Sequence, residues 1–131
     1  PRSLWWILIM NSSIAISGAE TGIEQELLPI ARLCTGKVQY MPEGSFRYIY
    51  MEKLRFLVSG ADKEMDALLC LNYPNNAYPT KLYLPVNLGL GLNWNENAYI
   101  LARNWFSWSW KDVSPNQTPF EILAGHLEAF R

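Results

Sequence analysis

The sequence predicts a single α+β domain, in which an antiparallel four-stranded meander is flanked by an N-terminal and a C-terminal helix. Three observations predict this class. A helical pattern comes first, four β-prone segments follow at hairpin spacing, and a capped helical pattern comes last. The 131 residues, 50% of them apolar, are enough for a core of ordinary size without disulfides or metals.

Residues 1–19 are predicted to be an N-terminal extension, followed by the domain itself at residues 20–131. The apolar run 4–10 follows Arg2 and precedes a group of small residues, which loosely resembles a signal peptide but is too short to span a bilayer. The run is also compatible with a buried or edge strand, and Met10 with an alternative start of translation. Because the signal-peptide pattern is weak, we expect a cytoplasmic protein rather than a secreted one.

The first helix is predicted from an apolar pattern that begins near Thr21. Thr21 and Glu24 have the spacing of a capping box, and apolar residues then recur at helical intervals up to Cys34. Pro29 lies inside this pattern, so we expect a kink or two short helical pieces. Gly36 is predicted to end the helix in a left-handed conformation.

Four segments rich in apolar and β-prone residues are predicted to form the meander. Turn sequences separate them at hairpin spacing, which favours pairing between strands that are neighbours in sequence. The predicted strands are residues 37–40, 46–58, 65–73 and 81–84, with turns at 41–44 and 59–62.

The last third of the chain is predicted to contain a long loop and a helix. Residues 85–97 hold four asparagines and two glycines, which is typical of a loop, and segment 98–110 follows it. The helix is predicted to begin after Thr118, because Pro119 suits the first helical position and Glu121 completes a capping box. The apolar stripe of this helix consists of Phe120, Leu123, Leu127 and Phe130.

Composition argues against several classes of function. The net charge is −1 with a pI near 5.8, and no basic patch is present, so we expect no nucleic-acid partner. Cys34, Cys70 and the single histidine show no metal-ligand spacing, so we expect neither a metal nor a cofactor. Unpaired cysteines suit a reducing compartment, and no apolar stretch is long enough to predict a membrane-spanning helix.

Two stretches of the sequence resemble a known family. Residues 66–85 read DALLCLNYPNNAYPTKLYLP, where a strand is followed by Tyr-Pro, a short insertion and a second proline before the next strand. Residues 104–127 contain a Trp-x-x-Trp-Ser segment, a proline-containing turn and a helix with a histidine. Together they resemble ubiquitin-conjugating-enzyme (UBC) domains and their inactive RWD relatives. The second stretch resembles a bacterial branch of the same superfamily, whose members are similar to conjugating enzymes encoded beside ubiquitin-like proteins, activating enzymes and JAB-type proteases.

The resemblance implies a UBC-like fold over residues 20–131 and a set of binding residues. Pro74 and Pro79 are expected to end strand pairing and to fix an extended crossing between the third and fourth strands. Tyr73 or Tyr78 is expected to pack beneath that crossing, with its hydroxyl group bonded to the backbone.

Two further features have both a structural and a functional interpretation. At least two of Trp105, Trp108 and Trp110 are predicted to be core residues, while the alternative is a partner-docking surface that includes Trp105 and Trp108. His126 is interpreted as a helix-face residue satisfied by a backbone or tryptophan partner, and alternatively as a general base or contact residue.

The resemblance also implies a catalytic thiol, which this sequence does not place where it is expected. A conjugating enzyme carries its modifier as a thioester on a cysteine after the fourth strand, shortly after an oxyanion-stabilising asparagine. The corresponding residues 85–110 contain five asparagines and no cysteine. Cys70 is the remaining weak candidate, but it and Cys34 are interpreted as buried structural thiols.

The leading hypothesis is therefore a UBC-like protein of a bacterial ubiquitin-like modification or defence system. We expect it to act as an adaptor that binds a ubiquitin-like protein or its activating enzyme. One alternative is an active conjugating enzyme that forms a thioester through Cys70 or a nucleophile outside this chain. Another is an RWD-type protein-interaction domain unrelated to modifiers.

Overall fold

The computed structural model describes residues 24–131, and its centre is a four-stranded antiparallel sheet in the order β1-β2-β3-β4. Each strand pairs with its neighbour in sequence, which confirms the predicted meander. Helices come before and after the sheet in chain order, which confirms the predicted α+β class. The strands are β1 (Val38–Glu43), β2 (Phe46–Val58), β3 (Ala61–Cys70) and β4 (Lys81–Tyr83).

The first helix is much shorter than predicted. A 3₁₀ turn at Gln25–Leu27 leads into a single α-helical turn, α1 (Leu28–Ala31), where Pro29 occupies an early position that needs no N–H donor. The chain then leaves the helix because Cys34 forms an isolated β-bridge with Leu54 of β2. The predicted N-terminal extension and the capping box that begins before Glu24 lie outside the described residues.

The hairpins of the sheet are tighter than the sequence suggested. β1 pairs with β2 up to Glu43, so the first turn is only Gly44–Ser45, and β3 begins immediately after the turn Ser59–Gly60. Both glycines have positive φ, which two-residue hairpin turns require. The predicted turns at 41–44 and 59–62 are therefore wrong in extent, because strand pairing continues into them.

A bulge in β2 is held by Asp66 of β3. The register shifts between Met51 and Leu54, and Lys53 lies there at positive φ. Its backbone N–H donates to Asp66 Oδ1 over 2.9 Å, while the Arg103 guanidinium donates to Oδ2 over 2.8 Å. Burial acts to raise the pKa of Asp66, but these hydrogen bonds outweigh it and lower that pKa below its usual value.

A second hairpin, absent from the sequence prediction, crosses the sheet on the face opposite the helices. It consists of β5 (Glu96–Ile100) and β6 (Arg103–Ser107). At one end Leu84 and Phe106 exchange two backbone hydrogen bonds of 2.8 and 2.7 Å, and at the other end the Leu101 N–H donates to the Glu43 carboxylate over 3.0 Å. The hairpin thus reaches from the end of β4 to the end of β1.

The hairpin and the helices give the sheet two separate cores. The larger core lies on the helix side, and the smaller one lies beneath the β5–β6 hairpin. The buried residues of the smaller core are Tyr48, Leu68, Cys70, Tyr83, Ile100 and Trp105. Covering both faces explains why the end of β3 is fully buried on both of its sides.

The last helix, α2 (Pro119–Leu127), begins as predicted. Thr118 Oγ1 accepts from the Glu121 N–H over 3.3 Å, and Glu121 Oε1 accepts from the Thr118 N–H over 2.9 Å, which completes the capping box. Its buried side includes Ile122 and Leu123, and a 3₁₀ turn at Glu128–Phe130 follows. The predicted stripe is shifted, because Phe120 and Leu127 are only half-buried.

Gly36 packs closely against β2 and does not have a left-handed backbone, so its predicted role as a left-handed helix end is wrong. A Cβ added there would lie 2.5 Å from Glu52 Cβ and 3.1 Å from the Glu52 carbonyl oxygen. We expect Gly36→Ala to lower the free energy of unfolding by about 1–3 kcal/mol, because the backbone of β2 must move.

Urea denaturation of the purified variant measures this loss. Gly125→Ala is the matched control, because the nearest atoms to its added methyl are side-chain atoms of Val113, at 3.1 to 3.9 Å, and alanine favours a helix interior. Equal midpoints for Gly36→Ala and the wild type would contradict the close-packing explanation.

Candidate functional site

The connection between β3 and β4 contains both prolines of the Tyr-Pro motif, and a backbone hydrogen bond joins its two ends. The Tyr73 N–H donates to the Pro79 carbonyl oxygen over 3.0 Å, so the chain meets itself at the start and end of the connection. Asn75 Oδ1 accepts from the N–H groups of Ala77 and Tyr78 over 2.9 and 3.2 Å, which turns the chain between them. We call residues 73–79 the crossing loop.

The tyrosine hydroxyl groups of this region bond to a carboxylate, not to the backbone as expected. Tyr73 donates to Glu96 Oε1 over 3.3 Å, and Tyr83 donates to Glu96 Oε2 over 2.7 Å. Burial and the Glu96 carboxylate both raise the pKa of Tyr73 and of Tyr83, so the two phenols stay protonated as donors. The crossing loop is thereby tied to the first residue of β5.

Lys81, the first residue of β4, is buried in the same place. It is 6% exposed, and its Nζ atom lies 3.4 Å from Glu96 Oε1. The ammonium group also lies over two aromatic rings, 5.0 Å from the centroid of Tyr73 and 5.6 Å from that of Tyr78. Sequence reasoning singled out the two tyrosines but missed Lys81 and Glu96.

A small polar cleft opens beside Lys81. Its volume is about 360 Å³, and both the crossing loop and the start of β5 contribute to its wall. Its lining residues are Tyr73, Asn75, Tyr78, Lys81, Asn95, Glu96 and Ser109. A charged pair, two aromatic rings and several uncharged polar groups therefore converge on one opening.

A larger cleft of about 770 Å³ lies on the other side of the crossing loop. Pro74 and Pro79 lie in its wall, as does Tyr73, and the approach to α2 forms the opposite side. The remaining lining residues are Glu26, Tyr40, Arg47, Leu71, Asn72, Asn75, Asn76, Pro115, Asn116, Gln117, Pro119 and Ile122. Three of the predicted binding residues are thus brought together at one surface.

Both cysteines are poorly placed for nucleophilic chemistry. Cys70 is 0% exposed, and burial raises its pKa to about 11 despite a hydrogen bond from Asn72 that lowers it. Burial and the nearby Asp66 raise the pKa of Cys34 to about 12. Because the thiolate is the reactive form, neither side chain presents a nucleophile near neutral pH.

Residues 85–95, which lie where the resemblance expects the thiol, form a loop organised by its own polar groups. Asn87 Oδ1 accepts from the Gly89 N–H over 2.8 Å, and the Gly89 carbonyl oxygen accepts from Trp94 Nε1 over 2.8 Å. Asn95 Nδ2 donates to Ser109 Oγ over 2.9 Å. The predicted loop is confirmed up to Asn95, and its asparagines stabilise the loop itself.

His126 is a buried structural residue in this arrangement. Thr80 Oγ1 donates its single proton to the Val113 carbonyl oxygen over 2.8 Å, so His126 Nε2, at 2.9 Å, must be the donor to that hydroxyl oxygen. Burial, assisted by the charge of Lys81, lowers the pKa of His126 to about 3. A neutral imidazole bonded in this way to Thr80 does not suit the general-base alternative.

Trp105 and Trp108 are both core residues. They are 0% and 1% exposed, whereas Trp110 is half-buried and donates through Nε1 to the Gly125 carbonyl oxygen over 2.9 Å. Trp105 Nε1 donates to the Ile100 carbonyl oxygen over 3.0 Å. The burial of the first two favours the core interpretation over the docking surface.

The part of the chain from residue 24 onward contains neither a metal-binding cluster nor a membrane-spanning helix. No group of three or more His, Cys, Asp or Glu side chains there is arranged to hold a metal ion. Within the same range, no helix has both the length and the apolar character that crossing a bilayer requires.

Comparison with known proteins assigns no family. No family model matches the sequence, and no curated protein or solved structure shows a significant match. The fold itself defines the protein as an α+β domain with a four-stranded antiparallel sheet.

Proposed function

We propose that this chain is a UBC-like domain of a bacterial ubiquitin-like modification or defence system. In this proposal it acts as a non-catalytic adaptor and binds a ubiquitin-like protein or its activating enzyme. The observation that carries the proposal is the closed crossing loop, in which the Tyr73 N–H meets the Pro79 carbonyl oxygen between β3 and β4 of an antiparallel meander. The resemblance led us to expect that Pro74 and Pro79 fix an extended crossing between these two strands, and the closed loop supports that expectation.

The non-catalytic part of the proposal rests on the two thiols. Cys70 lies inside the smaller core, and Cys34 is half-buried where it forms a β-bridge with Leu54 of β2. Burial raises both pKa values well above neutral pH. A thioester on Cys70 would require the β5–β6 hairpin to separate from the sheet. Binding without covalent transfer requires no such opening.

The surface best suited to a partner is the larger cleft beside the crossing loop. Its volume of about 770 Å³ is ample for several side chains of a bound protein. Arg47 contributes an exposed positive charge to one wall, and the prolines of the crossing loop give a rigid apolar edge. A rigid surface of this kind loses little conformational entropy when a partner binds.

The test combines a chemical and a binding measurement. Incubation with an activating enzyme, a ubiquitin-like protein and ATP, followed by a non-reducing gel, detects any thioester. We expect no thiol-sensitive adduct in the wild type, Cys70→Ala or Cys34→Ala, because burial raises the pKa of both thiols and keeps them protonated near neutral pH. We expect Arg47→Ala to weaken binding of either protein about fivefold, as loss of a charge at an interface rim does.

Lys111→Ala is the matched control, because Lys111 is exposed and lies outside the cleft. A reducible adduct that disappears in Cys70→Ala would replace the adaptor proposal with an active conjugating enzyme. Absence of binding to both proteins would leave an interaction domain of RWD type.

A further inference from the structure

The buried ammonium group of Lys81 has more donors than its surroundings use. Its contact with Glu96 Oε1 is 3.4 Å long, whereas a charge-assisted N–H···O bond is typically about 2.7–2.9 Å. The ammonium group also lies over the faces of Tyr73 and Tyr78, which offer no lone-pair hydrogen-bond acceptor. An ammonium group carries three N–H donors, so at least one remains for an acceptor in the cleft.

Glu96 positions the ammonium group through an oxygen that is already occupied. Oε2 accepts a short bond of 2.7 Å from Tyr83, while Oε1 accepts from the Tyr73 hydroxyl over 3.3 Å and lies 3.4 Å from Lys81 Nζ. Because these two donors face the two lone pairs of Oε1, an acceptor for a ligand beside Lys81 must come from another residue of the cleft.

The rim of the cleft is polar but uncharged. Asn95 Nδ2 donates to Ser109 Oγ, which leaves the Asn95 carbonyl oxygen as an acceptor and the Ser109 hydroxyl proton as a donor. The charges of Lys81 and Glu96 offset each other, so a ligand with a net charge meets one attractive and one repulsive group within a few ångströms. An uncharged ligand with an acceptor beside a donor meets no such conflict.

We propose that the cleft beside Lys81 binds a carboxamide group, with its carbonyl oxygen on Lys81 Nζ, its N–H on Asn95 Oδ1 and its flat face against the ring of Tyr78. A peptide main chain and a free small amide both carry this group. This site opens on the other side of the crossing loop from the proposed partner cleft, with which it shares Tyr73 and Asn75 in its wall, and it does not depend on any relation to ubiquitin-conjugating domains. Tyr73 and Tyr83 act as positioning residues, because their hydroxyl groups hold Glu96 in place.

The experiment titrates the ¹⁵N-labelled chain with three probes and follows its amide NMR signals. The probes are N-acetyl-triglycine amide, the same peptide with a free carboxylate, and acetamide. We expect the peptide amide to shift the signals of Lys81, Asn95, Glu96 and Ser109, and Lys81→Met to weaken this binding about tenfold through the lost charge-assisted bond. Lys111→Met, an exposed change of the same chemistry, is expected to bind as the wild type does.

Each outcome decides the proposal. Equal binding of acetamide supports the site with a small amide as its ligand, and binding of the peptide amide alone supports it with a peptide chain. Absence of shifts, shifts located away from the cleft, tighter binding of the free carboxylate, or unchanged binding by a folded Lys81→Met variant would overturn it. If Lys81→Met does not fold, two wild-type measurements still test the proposal. They are the location of the shifted NMR signals and the relative affinity for the peptide amide and the free carboxylate.

Discussion

Lowering the pH from about 6.5 to about 4.5 is expected to reduce the free energy of unfolding by about 2 kcal/mol through His126 alone. The imidazole is 1% exposed, and burial lowers its pKa to about 3 from an ordinary value of 6.5. Its Nε2 atom lies 2.9 Å from the Thr80 hydroxyl oxygen, and the nearby charge is the positive Lys81. The folded protein thus holds this histidine neutral across the whole pH interval.

The direction follows from proton binding in the two states. Between the two pKa values the unfolded chain has taken up a proton that the folded protein has not, so acid favours unfolding. Stability from this group is fully present above about pH 6.5 and declines by about 1.4 kcal/mol per pH unit below it, until the folded pKa near 3 is reached.

Urea denaturation at a series of pH values measures this slope. His126→Gln is the control, because its side-chain amide can still donate to Thr80 but cannot ionise. Asp66 and Glu121 have lowered pKa values in the folded protein, so their protonation also destabilises the fold in acid. This contribution is present in both the wild type and the His126→Gln variant, so the difference between their slopes reports His126. The same slope in both proteins would show that His126 is not held neutral by the fold.

The features that the sequence predicted correctly depend on local signals. The start of α2 was predictable because Thr118, Pro119 and Glu121 act within one helical turn, and their capping box forms as expected. The meander was predictable because each strand pairs with its neighbour in sequence. The closure of the crossing loop follows from two prolines and an asparagine that lie within seven residues.

The β5–β6 hairpin was missed because its turn carries no usual signal. Leu101 and Ala102 both have positive φ, 50° and 64°, where tight hairpins normally place glycine, asparagine or aspartate. The pairing of Lys81 with Glu96 could not be predicted for the same reason, since it exists only once this hairpin folds across the sheet. The sequence offered one indication of this pairing, which is that Lys81 is the first residue of the otherwise apolar strand β4.

The second large effect is expected at Trp108. Its indole ring is 1% exposed and packs between Trp94, Phe130 and His126, with ring centroids 5.0, 4.9 and 6.4 Å away. Trp108→Ala removes the side chain that joins the loop before β5 to the end of the chain's last helical turn. We expect it to lower the free energy of unfolding by about 3–5 kcal/mol, as large-to-small changes of buried aromatic residues do.

Phenylalanine variants separate packing from hydrogen bonding at the two buried tryptophans. Trp108 Nε1 is buried without a hydrogen-bond partner among the described residues, whereas Trp105 Nε1 donates to the Ile100 carbonyl oxygen. Both substitutions to phenylalanine remove a similar volume, but only Trp105→Phe also removes a hydrogen bond. Trp105→Phe should therefore cost about 1 kcal/mol more than Trp108→Phe in urea denaturation. The opposite order would mean that Trp108 Nε1 has a partner, such as a buried water molecule, that stabilises the fold.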